Sequence, residues 1–258
     1  THAEAAMCQY LDKLDASLEP IAIRDNLEEA FTSLIGYRRR EKIQDYNDEA
    51  DFDLNLIYKI GDDSIGGKGR GLAFLNVVLN RYSTLAEKYP AVKISVPVAA
   101  VLATGIFDEF ISFNPQLADL EAMEAMSDEE IDRMFLAAQL PQRSISSLSS
   151  LLAKCNSPLA VRSSSVLEDH VANPFAGVFR TFLLPNSHPE ARVRLGQLIQ
   201  AIKLVYSSMF LKNARAYRES LNIPAREEKM AVIIQKVAGS QHGELFYPML
   251  SGVAQSYN

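Results

Sequence analysis

A chain of 258 residues can bury a sizeable core, and 48% hydrophobic with 22% charged residues is ordinary globular composition, which excludes fibrous and disordered classes. A net charge of −6 argues against a broad nucleic-acid surface, although a local basic pocket is compatible with it. Cys8 and Cys155 share no C-x-x-C spacing and fit reduced thiols better than a disulfide framework or a zinc site. No apolar run approaches the roughly 20 residues of a membrane span, and no signal peptide is visible. A cytoplasmic setting is therefore expected, with neither nucleic acid nor membrane as partner. The start at Thr1 and the stop at Asn258, just after a strand-like SGVA, are expected of a piece of a longer protein.

Residues 1–44 read as helical, with Leu11, Leu14 and Leu18 on one face and Leu27, Phe31, Leu34 and Ile35 on another. Arg38 to Arg40 read as a solvated helix face. The acidic stretch 45–53 has no periodicity, so the chain divides into a helical lead-in with an acidic linker, 1–54, and an α+β domain, 55–258. Within that domain the spacing predicts a strand at 55–60 and a helix at 71–82 with Leu72, Leu75 and Leu79 inward. A strand at 92–98 and a helical region at 107–154, broken near Pro115 and Pro141, come next. Strands flank Arg162 and Gly177. Two helical segments span 190–221 and end before Pro224. The run MAVIIQKV, 230–237, is a continuous apolar strand, and 243–254 reads as a hairpin or bulged pair.

Residues 158–182, PLAVRSSSVLEDHVANPFAGVFRTF, carry the strongest chemical signal. A β-rich run at 158–161 delivers Arg162, at a strand end, into Ser163, Ser164 and Ser165. The carboxylates Glu168 and Asp169 follow, and a Phe175-Ala176-Gly177 turn leads into a strand at 179–184 that contains Thr181. Guanidinium binds phosphate oxygens in a bidentate way, and a glycine lets backbone N–H groups approach them, so these parts suit a polyphosphate. A strand followed by a serine-rich solvated loop would read the same way. Glu168 and Asp169 fit a cap or solvated turn better than a metal site.

Residues 61–71, GDDSIGGKGRG, lie between a predicted strand and a predicted helix. They are not a Walker A loop: Asp62 stands where its first glycine belongs, and Gly69 where its hydroxyl residue belongs. Gly66 and Gly67 still free the backbone at a helix N-terminus, which favours an anion, and Lys68 adds a mobile charge. The alternative is a plain glycine-rich turn with an exposed lysine.

Taken in order, IGGKGRGLAFLN, ISVPVAAVLATGIFDEFI, LAVRSSSVLED…FAGVFRTFL, AIKLVYSSMFLKNARAYRESLNI and MAVIIQKV resemble the N-terminal ATP-binding domain of the phosphoenolpyruvate synthase and pyruvate phosphate dikinase family, across roughly 55–258. The resemblance implies an ATP-grasp-like fold, of which this chain holds the N-terminal portion. By the same resemblance Lys68, with Gly66 and Gly67, contacts ATP phosphates, and Arg162 stabilises the transferred phosphoryl charge, with Ser163 beside it. Gly177 covers the phosphates, near Thr181, and the hinge of Gln235, Lys236 and Val237 meets the adenine edge through its backbone. Lysine and arginine placed against equatorial oxygen charge are what phosphoryl transfer needs.

The chain departs from the family pattern at Val178, where a polar residue is common, and at Ser251-Gly252-Val253-Ala254-Gln255-Ser256, where the family has SGV-x-Phe-Thr. It also stops before the second lobe, which in the family brings the Mg²⁺ ligands, so those ligands are expected outside this chain and no metal residue is assigned within it. The function implied is the ATP-binding part of a longer phosphotransferase, inactive by itself. The parent passes phosphate from ATP to a carrier histidine on a downstream domain, then to an acceptor such as pyruvate on another. A nucleotide-binding regulatory or interaction module without transfer is the alternative.

Overall fold

The computed structural model describes residues 43–46, 57–81, 88, 91–92, 94–119, 122–123, 125–165, 177–221, 224 and 228–253. The expectations for residues 1–42, for Glu168 and Asp169, and for Phe175 and Ala176 lie outside the described residues. The chain forms two units, 1–42 with 73–94 and 43–72 with 95–258. The sheet and the candidate-site residues belong to the second, and among the described residues no helix is long and apolar enough to cross a membrane.

Six strands form one mixed sheet in the order β1-β2-β3-β6-β4-β5. They are β1 (Ile43–Asp45), β2 (Ile57–Ile60), β3 (Ala99–Leu102), β4 (Leu159–Ser165), β5 (Thr181–Leu184) and β6 (Met230–Lys236). The first three run parallel, β6 is antiparallel to β3 and β4, and β5 is antiparallel to β4. A hairpin of β7 (Ser240–His242) and β8 (Leu245–Tyr247) stands apart.

Strand alternation divides the sheet's two faces. Tyr58, Ile60, Ala100, Leu102, Leu159, Val161, Val232 and Ile234 join the main hydrophobic core, with Phe107, Phe110, Leu148, Leu151, Leu198 and Tyr206 from the helices. Those helices are α2 (Thr104–Phe113), α4 (Gln142–Lys154) and α5 (Ala191–Ser207). The opposite parity holds Lys59, Ala160, Arg162, Thr181, Ile233 and Gln235. β6 is buried from Met230 through Gln235, as expected of a strand apolar on both faces between neighbours on each side.

Several expectations are corrected. The helix predicted at 71–82 is α1 (Gly66–Arg81), so the glycine-rich segment is its first turn, and Leu75 is exposed rather than inward. The strand predicted at 92–98 lies at 99–102, with Val92 and Ile94 exposed. Proline cannot donate to a ladder, and regular pairing begins only beyond Pro97. Ile43 and Gln44, expected at the end of a helix, pair with Ile57 and Tyr58 instead. The hairpin predicted at 243–254 is centred on Gly243, with no strand at 248–253. The helical region broken at Pro115 and Pro141 resolves into α2, a 3₁₀ turn at Pro115–Leu117, α3 (Asp128–Ala137) and α4.

α3 starts in a capping box: Ser127 Oγ accepts the Glu130 N–H, and the Glu130 carboxylate accepts from the Ser127 backbone. Donation from the Ser127 backbone N–H and from its hydroxyl holds the Glu130 carboxyl below the usual carboxylate range. A buried ion pair joins α6 (Lys212–Ser220) to Glu228, two residues before β6. Arg218 Nη1 meets Glu228 Oε2 at 3.2 Å with side chains 6% and 0% exposed, and Ser165 Oγ donates to Glu228 Oε1 at 2.9 Å. Removing one member strands the other's charge, so Glu228→Ala should lower unfolding stability by about 3–5 kcal/mol in urea titrations. A loss near zero would mean that the pair is open to water.

Candidate functional site

The glycine-rich segment is mounted on two elements before it becomes a helix. Leaving β2, the loop is pinned to the start of α2: Ala103 N donates to Ile60 O at 2.9 Å, Thr104 N to Ser64 O at 2.8 Å and Gly105 N to Asp62 O at 3.1 Å. Ser64 N returns a hydrogen bond to Thr104 Oγ1 at 3.1 Å. The backbone path is thus set by groups distant in sequence.

Gly66 then opens α1 at φ +70, and a Cβ placed there would lie 1.8 Å from Ser164 O. Only glycine permits this approach of helix start to strand. Two first-turn donors are met by hydroxyls: Gly66 N by Ser64 Oγ at 3.1 Å and Gly69 N by Ser164 Oγ at 3.0 Å. The first turn of α1 contains no acidic residue, so nothing there opposes the positive end of the helix dipole.

On β4, Arg162 lies inside the strand, not at its end, because the three serines continue the ladder to Ser165. Each serine is buried and partnered. Ser163 Oγ accepts Lys68 Nζ at 3.3 Å, Ser164 Oγ donates to Ile65 O at 2.8 Å, and Ser165 meets Glu228. A serine-rich solvated loop at 163–165 is therefore ruled out. Arg162 is half-buried on the face opposite the main core, and among the described residues nothing hydrogen-bonds or ion-pairs with its guanidinium.

The two sequence segments read separately thus meet on β4, with Lys68 reaching Ser163, which follows Arg162 and alternates to the other face of the strand. Thr181 pairs directly with Arg162 on β5, and its position is exposed. Gly177 lies in an exposed turn at φ +76, and none of the described residues comes within 4 Å of a Cβ placed there. Gln235 pairs with Ala160, one same-face step of about 7 Å along the sheet from Arg162. It is buried, and its amide donates to Pro97 O at 3.3 Å. The backbone N–H groups of Lys236 and Val237 are already donated, to Val98 O at 3.0 Å and Pro158 O at 2.9 Å. A base at this edge would have to use other backbone groups. Sequence reasoning missed Ser64 and Thr104, and it missed that Ser164 holds the start of α1. Their hydroxyls assemble the site, and their chain separation hides that.

A glycine-bounded helix start, a lysine and an arginine without a side-chain partner among the described residues, on a mixed sheet, define a protein of the α+β class with cationic groups suited to a polyphosphate. Residues 62–258 match the family described as pyruvate phosphate dikinase, AMP/ATP-binding domain, and the chain belongs to that family. It is also 32% identical over 89 residues to the phosphoenolpyruvate synthase of Aeropyrum pernix, an alignment covering 34% of this chain and 10% of that protein. The chain thus spans about a tenth of the length of that relative.

Proposed function

We propose that this chain is the ATP-binding part of a longer phosphoenolpyruvate synthase-like phosphotransferase, ATP-grasp-like in fold, with 55–258 as the ATP domain and 1–54 as a lead-in. The supporting observation is that Ser163 and Ser164 hold the helix start carrying Lys68 on β4, the strand that carries Arg162. Lysine supplies a mobile point charge and arginine a fixed fork, a pairing suited to holding and then stabilising a migrating phosphoryl group. Gly66, Gly67 and Ser163 would line the phosphate end, with Gly177 and Thr181 on the β5 side. Gln235, Lys236 and Val237 would line the adenine end. Mg²⁺, when bound, would neutralise phosphate charge, with ligands from outside this chain. The phosphate acceptors would be a histidine on a downstream domain and then a small acid such as pyruvate. By itself the chain is read as inactive.

The adenine end is tested by calorimetric titration of the full-length protein with ATP. Gln235→Ala should cost little affinity, because backbone groups are read as holding the base. Val237→Asp should abolish measurable binding, since a desolvated carboxylate costs several kcal/mol. Unchanged affinity in a folded Val237→Asp would place the base elsewhere and favour the regulatory or interaction reading.

A further inference from the structure

We propose that Ser164 is a positioning residue: it holds the root of Lys68 against β4, the strand that carries Arg162, and so sets where the lysine's charge is delivered. The proposal rests on the reading of Lys68 and Arg162 as phosphate contacts. Arg162 and Ser164 are two residues apart on β4 and share a face. Ser164 is fully buried, and its hydroxyl works in both directions, donating to Ile65 O at 2.8 Å and accepting from Gly69 N at 3.0 Å. Ile65 precedes Lys68 by three positions and Gly69 follows it, so one hydroxyl brackets the lysine's backbone. A buried hydroxyl making both bonds has no water to replace it.

The contact at Gly66 removes the remaining slack. With its φ of +70 and its α-carbon packed on the Ser164 carbonyl, the segment has little freedom to slide along β4. Lys68 keeps a flexible four-carbon stem, so its charge is placed at two levels, Ser164 at the root and Ser163 at the tip. Loss of the root should misplace the charge while leaving it in the site. That alters the transition state more than substrate binding.

A double-mutant cycle in the full-length protein tests this, with phosphoryl transfer from ATP followed against ATP concentration. Ser164→Ala should lower kcat by roughly 10–100-fold, the scale of a small misplacement. Its KM for ATP should move by less than about threefold, because uniform binding is retained. In a Lys68→Ala background, adding Ser164→Ala should cost less than about twofold, since the residue acts through a lysine no longer present. A purely structural serine would multiply the two losses.

If Lys68→Ala is slow and the losses multiply, or if Ser164→Ala keeps the wild-type kcat, the positioning role falls and the phosphate reading stands. If Lys68→Ala runs at the wild-type rate, both fall. Should Ser164→Ala not give folded protein by circular dichroism, Ser164→Cys, which keeps a weak donor and acceptor, goes through the same cycle under the same criteria.

Discussion

Arg162→Ala in the full-length protein should slow phosphoryl transfer by about 10³-fold or more while the protein stays folded, the scale set by transition-state arginines in other phosphotransferases. The fold should survive because no described residue relies on the guanidinium: nothing hydrogen-bonds to it, so its removal strands no buried partner. Its backbone remains in the ladder with Thr181 and Ile233. Arg162→Lys should recover only part of the rate, because an ammonium replaces the charge but not the planar fork. Rapid-quench measurement of transfer from ATP, with circular dichroism of each variant, decides the matter. A wild-type rate in folded Arg162→Ala would remove the residue from the chemistry.

Gly66→Val should be the most damaging single change to the site's architecture. A β-branched residue at φ +70 is a backbone outlier, with strain of about 1–3 kcal/mol before any contact is considered. Its Cβ would also lie 1.8 Å from Ser164 O and 2.4 Å from Ser164 Oγ, so helix and strand must separate. Separation breaks the bonds of Ser164 to Gly69 and Ile65, and a domain with total stability near 5–15 kcal/mol has little margin for that. Gly71→Ala is the matched control. It lies in α1 with nothing among the described residues within 4 Å of its added Cβ, and should be neutral or stabilise by up to about 1 kcal/mol. Thermal melts of both variants give the comparison. A Gly66→Val protein that melts with the wild type would show that α1 does not approach β4 this closely.

Much of this was legible along the chain. The apolar run of β6, the two helices 191–207 and 212–220, and the helical breaks at Pro115 and Pro141 follow from periodicity and proline chemistry, which act within a few residues. Lys68 and Arg162 could be singled out as candidates too, because a glycine-flanked lysine and an arginine beside hydroxyls carry their chemistry in their own side chains.

Other features have no local cause. AAVL at 99–102 is a weak strand former, yet it lies fully buried between β2 and β6, so neighbours impose its conformation. Ile43 and Gln44 are extended because β2 pairs with them. Three consecutive serines favour a loop on propensity, and they form strand because Lys68, Gly69, Ile65 and Glu228 supply their hydroxyls with partners. Chemistry that resides in one side chain, or in a pattern a few residues long, was readable from residue order. The strand identity of the serines and the meeting of Lys68 with the Arg162 strand were not, because both depend on hydrogen bonds and packing between residues nearly a hundred positions apart.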